Sequence, residues 1–216
     1  MNTGASPDFN EKHSLGLRLW HWTFFILITG TIITVLLAST LFRTRNNITL
    51  VQQQLQEKNL SVSQDQARAV AHALNDKLWD LHTWIGYFIA LFLLGRFVLE
   101  VLQPADEKLG PKIRKAMGFK PLSVEQKKGR QHYLRVKAGY LIFYGLILVM
   151  AITGIGLAFE EVPLLRTLHN ALKQIHSFTQ YLIYGYILLH LGGVVLADAG
   201  SYPGLVSGMI HGKKRF

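Results

Sequence analysis

The chain has 216 residues, half of them apolar, with 23 Lys and Arg against 13 Asp and Glu and a net charge of +10. It has no cysteine, which excludes a disulfide framework, a Cys-ligated iron–sulfur cluster and a Cys-x-x-Cys-His covalent attachment within this chain. The apolar residues gather into four blocks instead of spreading as a soluble core would, so the positive charge is read against a membrane and not against nucleic acid.

In chain order, residues 1–16 read as a short disordered tail. Residues 19–42 form the first apolar block. Lys12 and Arg18 precede it, as in a signal peptide, but the run far exceeds a signal core of about 7–15 residues and no small-residue cleavage site follows, so a retained helix is expected. Further spans are predicted at 82–102, 138–159 and 175–197. Each block has about 20–24 residues, the length at which a helix crosses roughly 30 Å of hydrocarbon. Only the second carries charge, Arg96 and Glu100, near one end where long side chains reach the interface. The expected fold is all-α, an integral membrane four-helix bundle forming a single domain over 1–216.

Between the first two spans, residues 43–81 are polar. Ser63 and Gln66 have capping-box spacing, and Ala67, Val70, Ala71, Leu74, Leu78 and Leu81 then recur at helical spacing. The segment is predicted to be extracytoplasmic, with an amphipathic helix leading into span two. That helix either lies on the end of the bundle or offers a docking surface to a partner subunit. Residues 103–137 hold Pro104, Gly110, Pro111, Gly118 and Pro121 among many basic residues and read as a cytoplasmic loop. Its weak stripe of Leu109, Ile113 and Met117 suits the headgroup region.

The basic residues sort by side. The N-terminus, Arg96 with the 103–137 loop, and the C-terminus together hold 16 of the 23 Lys and Arg, and the other two connections hold 7. The positive-inside rule places both termini and the 103–137 loop in the cytoplasm, where the basic surface meets anionic lipid. Arg43 and Arg45 run against the rule without outweighing it.

Four of the nine histidines fall within a span or its first turn: His21, His82, His176 and His190. An ionisable residue inside a membrane is a functional candidate because an unpartnered one is costly. With this topology His21 and His190 lie near the inner face and His82 and His176 near the outer face. Crossed pairings would have to bridge about 20 Å of depth at 1.5 Å per residue. On span four, the 14 residues from His176 to His190 make nearly four turns, so both face one way, about 21 Å apart. Two neutral imidazoles from opposite helices suit six-coordinate haem iron. Arg18, on the face of His21, and Arg96, fourteen residues after His82, are candidate partners for the propionates of an inner haem. Zinc fits poorly, since each pair supplies two nitrogens where zinc usually takes three or four protein ligands. Gly30, Gly86, Gly139, Gly154, Gly156, Gly185, Gly192 and Gly193 offer small surfaces for a helix or a porphyrin. His169, two turns before His176, is read as an outer-surface residue, a proton relay or an alternative ligand.

The set RLWHW at 18–22, LHTWIG at 81–86 with Arg96 beyond it, and IHSF…LLHLGG on span four resembles the bacterial cytochrome b561 and nickel–iron hydrogenase b-type cytochrome family. The ending MIHGKKRF, 209–216, is similar to the Met-x-x-Gly-basic tail of the hydrogenase-type members. The resemblance implies four membrane helices in the bacterial inner membrane holding two haem b groups, with His21, His82, His176 and His190 as ligands. The inner haem would lie on His21/His190 and the outer on His82/His176, exchanging electrons with the quinone pool. The implied function is an electron-transfer subunit of a respiratory-chain oxidoreductase complex, working with a redox partner subunit. The long 43–78 segment departs from the hydrogenase-type members and leaves the partner open. Two further readings stand beside it: a stand-alone quinol-linked cytochrome b oxidoreductase passing electrons to a small oxidant, and a haem-free four-helix membrane scaffold.

Overall fold

A computed structural model describes residues 14–105, 107–200 and 203–212. Residues 1–13, with most of the expected tail and His13, and the basic ending 213–216 lie outside the described residues. The described residues form seven helices and no strand: α1 (Leu15–Ser39), α2 (Thr44–Gln56), α3 (Gln64–Leu102), α4 (Leu109–Gly118), α5 (Val124–Ala158), α6 (Pro163–Ala199) and α7 (Leu205–His211). Four of them, α1, α3, α5 and α6, are long and apolar enough to cross a membrane. The expected class, an all-α membrane protein with four spanning helices, is the one observed.

The helices are longer than the spans predicted from hydropathy. α3 has 39 residues, α5 has 35 and α6 has 37, or about 50–60 Å each at 1.5 Å per residue against roughly 30 Å of hydrocarbon. The amphipathic segment at 64–81 and span two are therefore one uninterrupted helix. The expected 103–137 loop is largely helical as well. It contains α4 and the first turns of α5, which starts directly after the last of its breakers, Pro121. Ser123 caps that start, its hydroxyl accepting from the Gln126 N–H at 3.2 Å.

The chain groups into two compact units, residues 22–90 and the remainder. In the first, Ile48 of α2 is buried with Ala67 and Ala71 of α3, flanked by Val51 and Val62. The predicted stripe divides: the two alanines are buried, whereas Val70, Leu74 and Leu81 are exposed. Small residues take the contact because they let helices approach closely. The Asn75 amide donates to the Ala38 and Phe42 carbonyls at 2.9 and 2.8 Å, while its oxygen accepts from Trp79 Nε1 at 2.8 Å. Those carbonyls belong to the last turn of α1 and the residues after it, groups with no intrahelical partner. This capture ends α1 at Ser39, three residues short of the predicted span.

In the second unit α5 runs along α6, α4 packs on α5 and α7 on α6. Ile147, Thr153 and Gly156 of α5 and Thr179 and Ile183 of α6 are buried. At Gly156 a side chain would overlap Leu172. Arg130 donates to the Phe119 carbonyl at 2.9 Å and closes the α4–α5 connection. Pro163 opens α6, where a missing N–H costs nothing.

Candidate functional site

His21 on the second turn of α1 and His190 on α6 lie together, with ring centroids 6.2 Å apart and planes at 49°. Two imidazoles bound to opposite sides of one metal, at about 2.0–2.1 Å per metal–nitrogen bond plus the distance from each nitrogen to its ring centre, have centroids about 6 Å apart. Their mutual rotation about that axis is unrestricted, so 49° is compatible with axial ligation. An aromatic cluster borders the pair. Tyr186 lies parallel to the His190 ring at 6.1 Å, Phe143 is 5.5 Å from Tyr186, and Trp20 meets Phe143 and Tyr144 edge-on at 6.5 and 5.6 Å. This depth-matched pair is brought together as the sequence reading expected.

His82 and His176 belong to different units. On α3, His82 Nδ1 lies 3.0 Å from the hydroxyl of Thr34 on α1, and the Trp79 ring meets its ring edge-on at 5.6 Å. On α6, His176 Nδ1 lies 2.9 Å from the hydroxyl of Thr153 on α5. A Cβ on Gly154 would sit 3.2 Å from His176 Cε1, so that glycine makes room for the ring. Both threonines are buried, 3% and 4% exposed. Within unbroken α6, Thr179 and Ile183 fall between His176 and His190 on the face that the two histidines share, and both are buried.

The candidate propionate partners have protein contacts of their own. Arg18 donates from Nη2 to the Ile210 carbonyl of α7 at 2.7 Å, and Arg96 pairs with Glu100 one turn on at 3.1 Å, both half-buried. His169 lies 3.3 Å from Glu160. Sequence reasoning missed Thr34 and Thr153. A threonine in an apolar helix ordinarily bonds its own backbone, and nothing in its spacing points across to another helix. It also missed Lys137, buried with its Nζ 4.9 Å from the centre of the Tyr133 ring.

The donor chemistry fits haem. Imidazole is a haem-iron ligand and burial among apolar groups tunes such a centre, and no three His, Cys, Asp or Glu side chains converge among the described residues. A scan of family models matches residues 12–212 to one described as prokaryotic cytochrome b561. No curated protein and no solved structure matched the chain. With a match over nearly its whole length, the chain belongs to the prokaryotic cytochrome b561 family, the b-type cytochromes of membrane electron transfer.

Proposed function

We propose that the chain is a di-haem cytochrome b of the bacterial inner membrane that carries electrons between a redox partner subunit and the quinone pool. His21 and His190 hold the inner haem, and His82 and His176 hold the outer one. The observation that carries this reading is the His21–His190 pair, whose centroid separation of 6.2 Å matches axial ligation of one iron. The outer pair rests on equal membrane depth in the sequence. Bound haem supplies reversible one-electron exchange, and the chain's own residues set where and how readily that happens. Tyr186, Phe143 and Trp20 would give the inner haem an aromatic border, and such apolar surroundings, with axial-ligand type, govern the potential. Arg18 and Arg96 would hold the inner propionates while keeping their existing contacts, since a guanidinium has five N–H donors to share.

The test is a dithionite-reduced minus air-oxidised spectrum of the detergent-purified chain, with haem quantified as pyridine haemochrome. Low-spin b-type bands and two haems per chain are expected. His21→Ala, His190→Ala and the double variant should each retain one haem, and His82→Ala should lose the other. A colourless protein expressed with haem available refutes the proposal, and loss of both haems from His21→Ala alone refutes the pairing. Reduction of the bound haem by a quinol analogue in membrane vesicles, together with co-purification of a second redox subunit, tests the two ends of the electron path.

A further inference from the structure

We propose that Thr34 and Thr153 are positioning residues for the two outer histidines, holding each ring in the tautomer that carries its lone pair on Nε2, the nitrogen that would bind iron. The inference rests on the di-haem reading and deepens it. Each hydroxyl has one proton and two lone pairs. Thr34 Oγ1 lies 2.8 Å from the Thr31 carbonyl of its own helix. Thr153 Oγ1 lies 2.7 Å from the Val149 carbonyl and 3.2 Å from that of Met150. A carbonyl only accepts, so the hydroxyl proton goes there and only a lone pair remains for the histidine. The Nδ1 atoms at 3.0 and 2.9 Å must then be the donors. The lengths agree with that polarity: O–H···O bonds cluster near 2.7–2.8 Å and N–H···O bonds near 2.9–3.0 Å.

A neutral imidazole has one N–H and one acceptor nitrogen. With the proton on Nδ1, the lone pair is on Nε2, at the far side of the ring from the threonine. The same device is built on two different helices, α1 for His82 and α5 for His176. In each case the threonine is almost wholly buried, so water does not compete for the bond. A ligating histidine that donates its other N–H gains basicity and a fixed ring orientation. The hydroxyls therefore stabilise the ferric state of the outer haem and restrict ring rotation.

The experiment compares Thr34→Val and Thr153→Val, near-isosteric replacements lacking the hydroxyl, with Thr34→Ser and Thr153→Ser, which keep it. Redox titration and low-temperature electron paramagnetic resonance are read on the haem-loaded chain. Each valine variant should raise one of the two midpoint potentials and move one low-spin signal, leaving the other haem unchanged, and should weaken retention of that haem about 10- to 100-fold. Serine should restore all three. Unchanged potentials and signals in the valine variants, where the wild type carries two haems, overturn this proposal alone. So does a haem loss that serine fails to repair, or an equal shift of both haems. A wild type without haem overturns the di-haem reading itself. Ring 15N chemical shifts of His82 and His176 in the haem-free chain in micelles add a readout independent of loading. The proton should be on Nδ1, and an Nε2–H tautomer overturns the assignment.

Discussion

Gly212 shows how much one residue can decide. It ends α7 with φ +73°, in the left-handed region that suits a helix C-cap and that a side chain resists by about 1–2 kcal/mol. A methyl group there would also overlap the Arg18 guanidinium, which reaches over the glycine to the Ile210 carbonyl. Gly212→Ala is thus expected to lower stability by about 1–2 kcal/mol from backbone strain and to displace Arg18 as well. Thermal unfolding of the detergent-purified chain measures this, and an unchanged midpoint would mean that the contact contributes nothing. Arg18→Leu in the Gly212→Ala background should add less than it does alone, because both changes remove the same contact. The Met-x-x-Gly spacing was visible in the sequence, but its physical reason was not, because Arg18 lies nearly 200 positions away. The histidines were legible for the opposite reason. An imidazole in hydrocarbon stands out singly, and helical periodicity with span direction supplies depth without any long-range contact. Threonine carries no such signal, so the groups beside His82 and His176 became visible only when the helices were placed.

At the scale of elements, the start of α3 was readable and α2 was not. Ser63 and Gln66 make the reciprocal bonds their spacing implied: the Gln66 N–H to the Ser63 hydroxyl at 3.2 Å, and the Ser63 N–H to the Gln66 side chain at 2.8 Å. Ser63→Ala removes one of them and should cost about 1 kcal/mol. The loss should appear as faster amide hydrogen exchange in residues 64–67 with little change at the far end of the helix. Uniform acceleration along α3 would show instead that the cap governs the whole element. By contrast, α2 is rich in Asn and Gln and buries little besides Ile48. Its partner surface is Ala67 and Ala71, which a hydropathy stripe ranks below Val70 and Leu74. Propensity and period pointed to the larger side chains, whereas close approach selected the smaller ones. In 103–137 the prolines and glycines suggested a loop, yet they only punctuate α4 and α5. Ser123 and Gln126 repeat the Ser63 and Gln66 spacing there, so the cap of α5 was open to the same reading.

At the scale of the whole molecule, the exposed apolar residues and the overhanging helix ends carry complementary information. Large apolar side chains are exposed along α1, α3, α5 and α6, Leu36, Leu94, Ile152 and Leu188 among them, more than a soluble monomer shows and what a lipid boundary accommodates. The helix ends beyond the apolar stretches differ in charge. The first turns of α5 carry Lys127, Lys128, Arg130, Arg135 and Lys137 against Glu125, whereas those of α3 carry Arg68 and Lys77 against Asp65, Asp76 and Asp80. Because α3 and α5 enter the membrane from opposite sides when four spans alternate, we propose from the excess of Lys and Arg on α5, by the positive-inside rule, that the start of α5 is in the cytoplasm and the start of α3 outside. The chain's lack of cysteine makes the test clean. Gln54→Cys on α2 and Gln131→Cys on α5 alter exposed residues without changing charge. In intact cells a membrane-impermeant maleimide should label Gln54→Cys directly and Gln131→Cys only after permeabilisation. The reverse pattern would invert the topology. The His82 and His176 ends would then face the cytoplasm, and the haem proposed on them would be the inner one of the two.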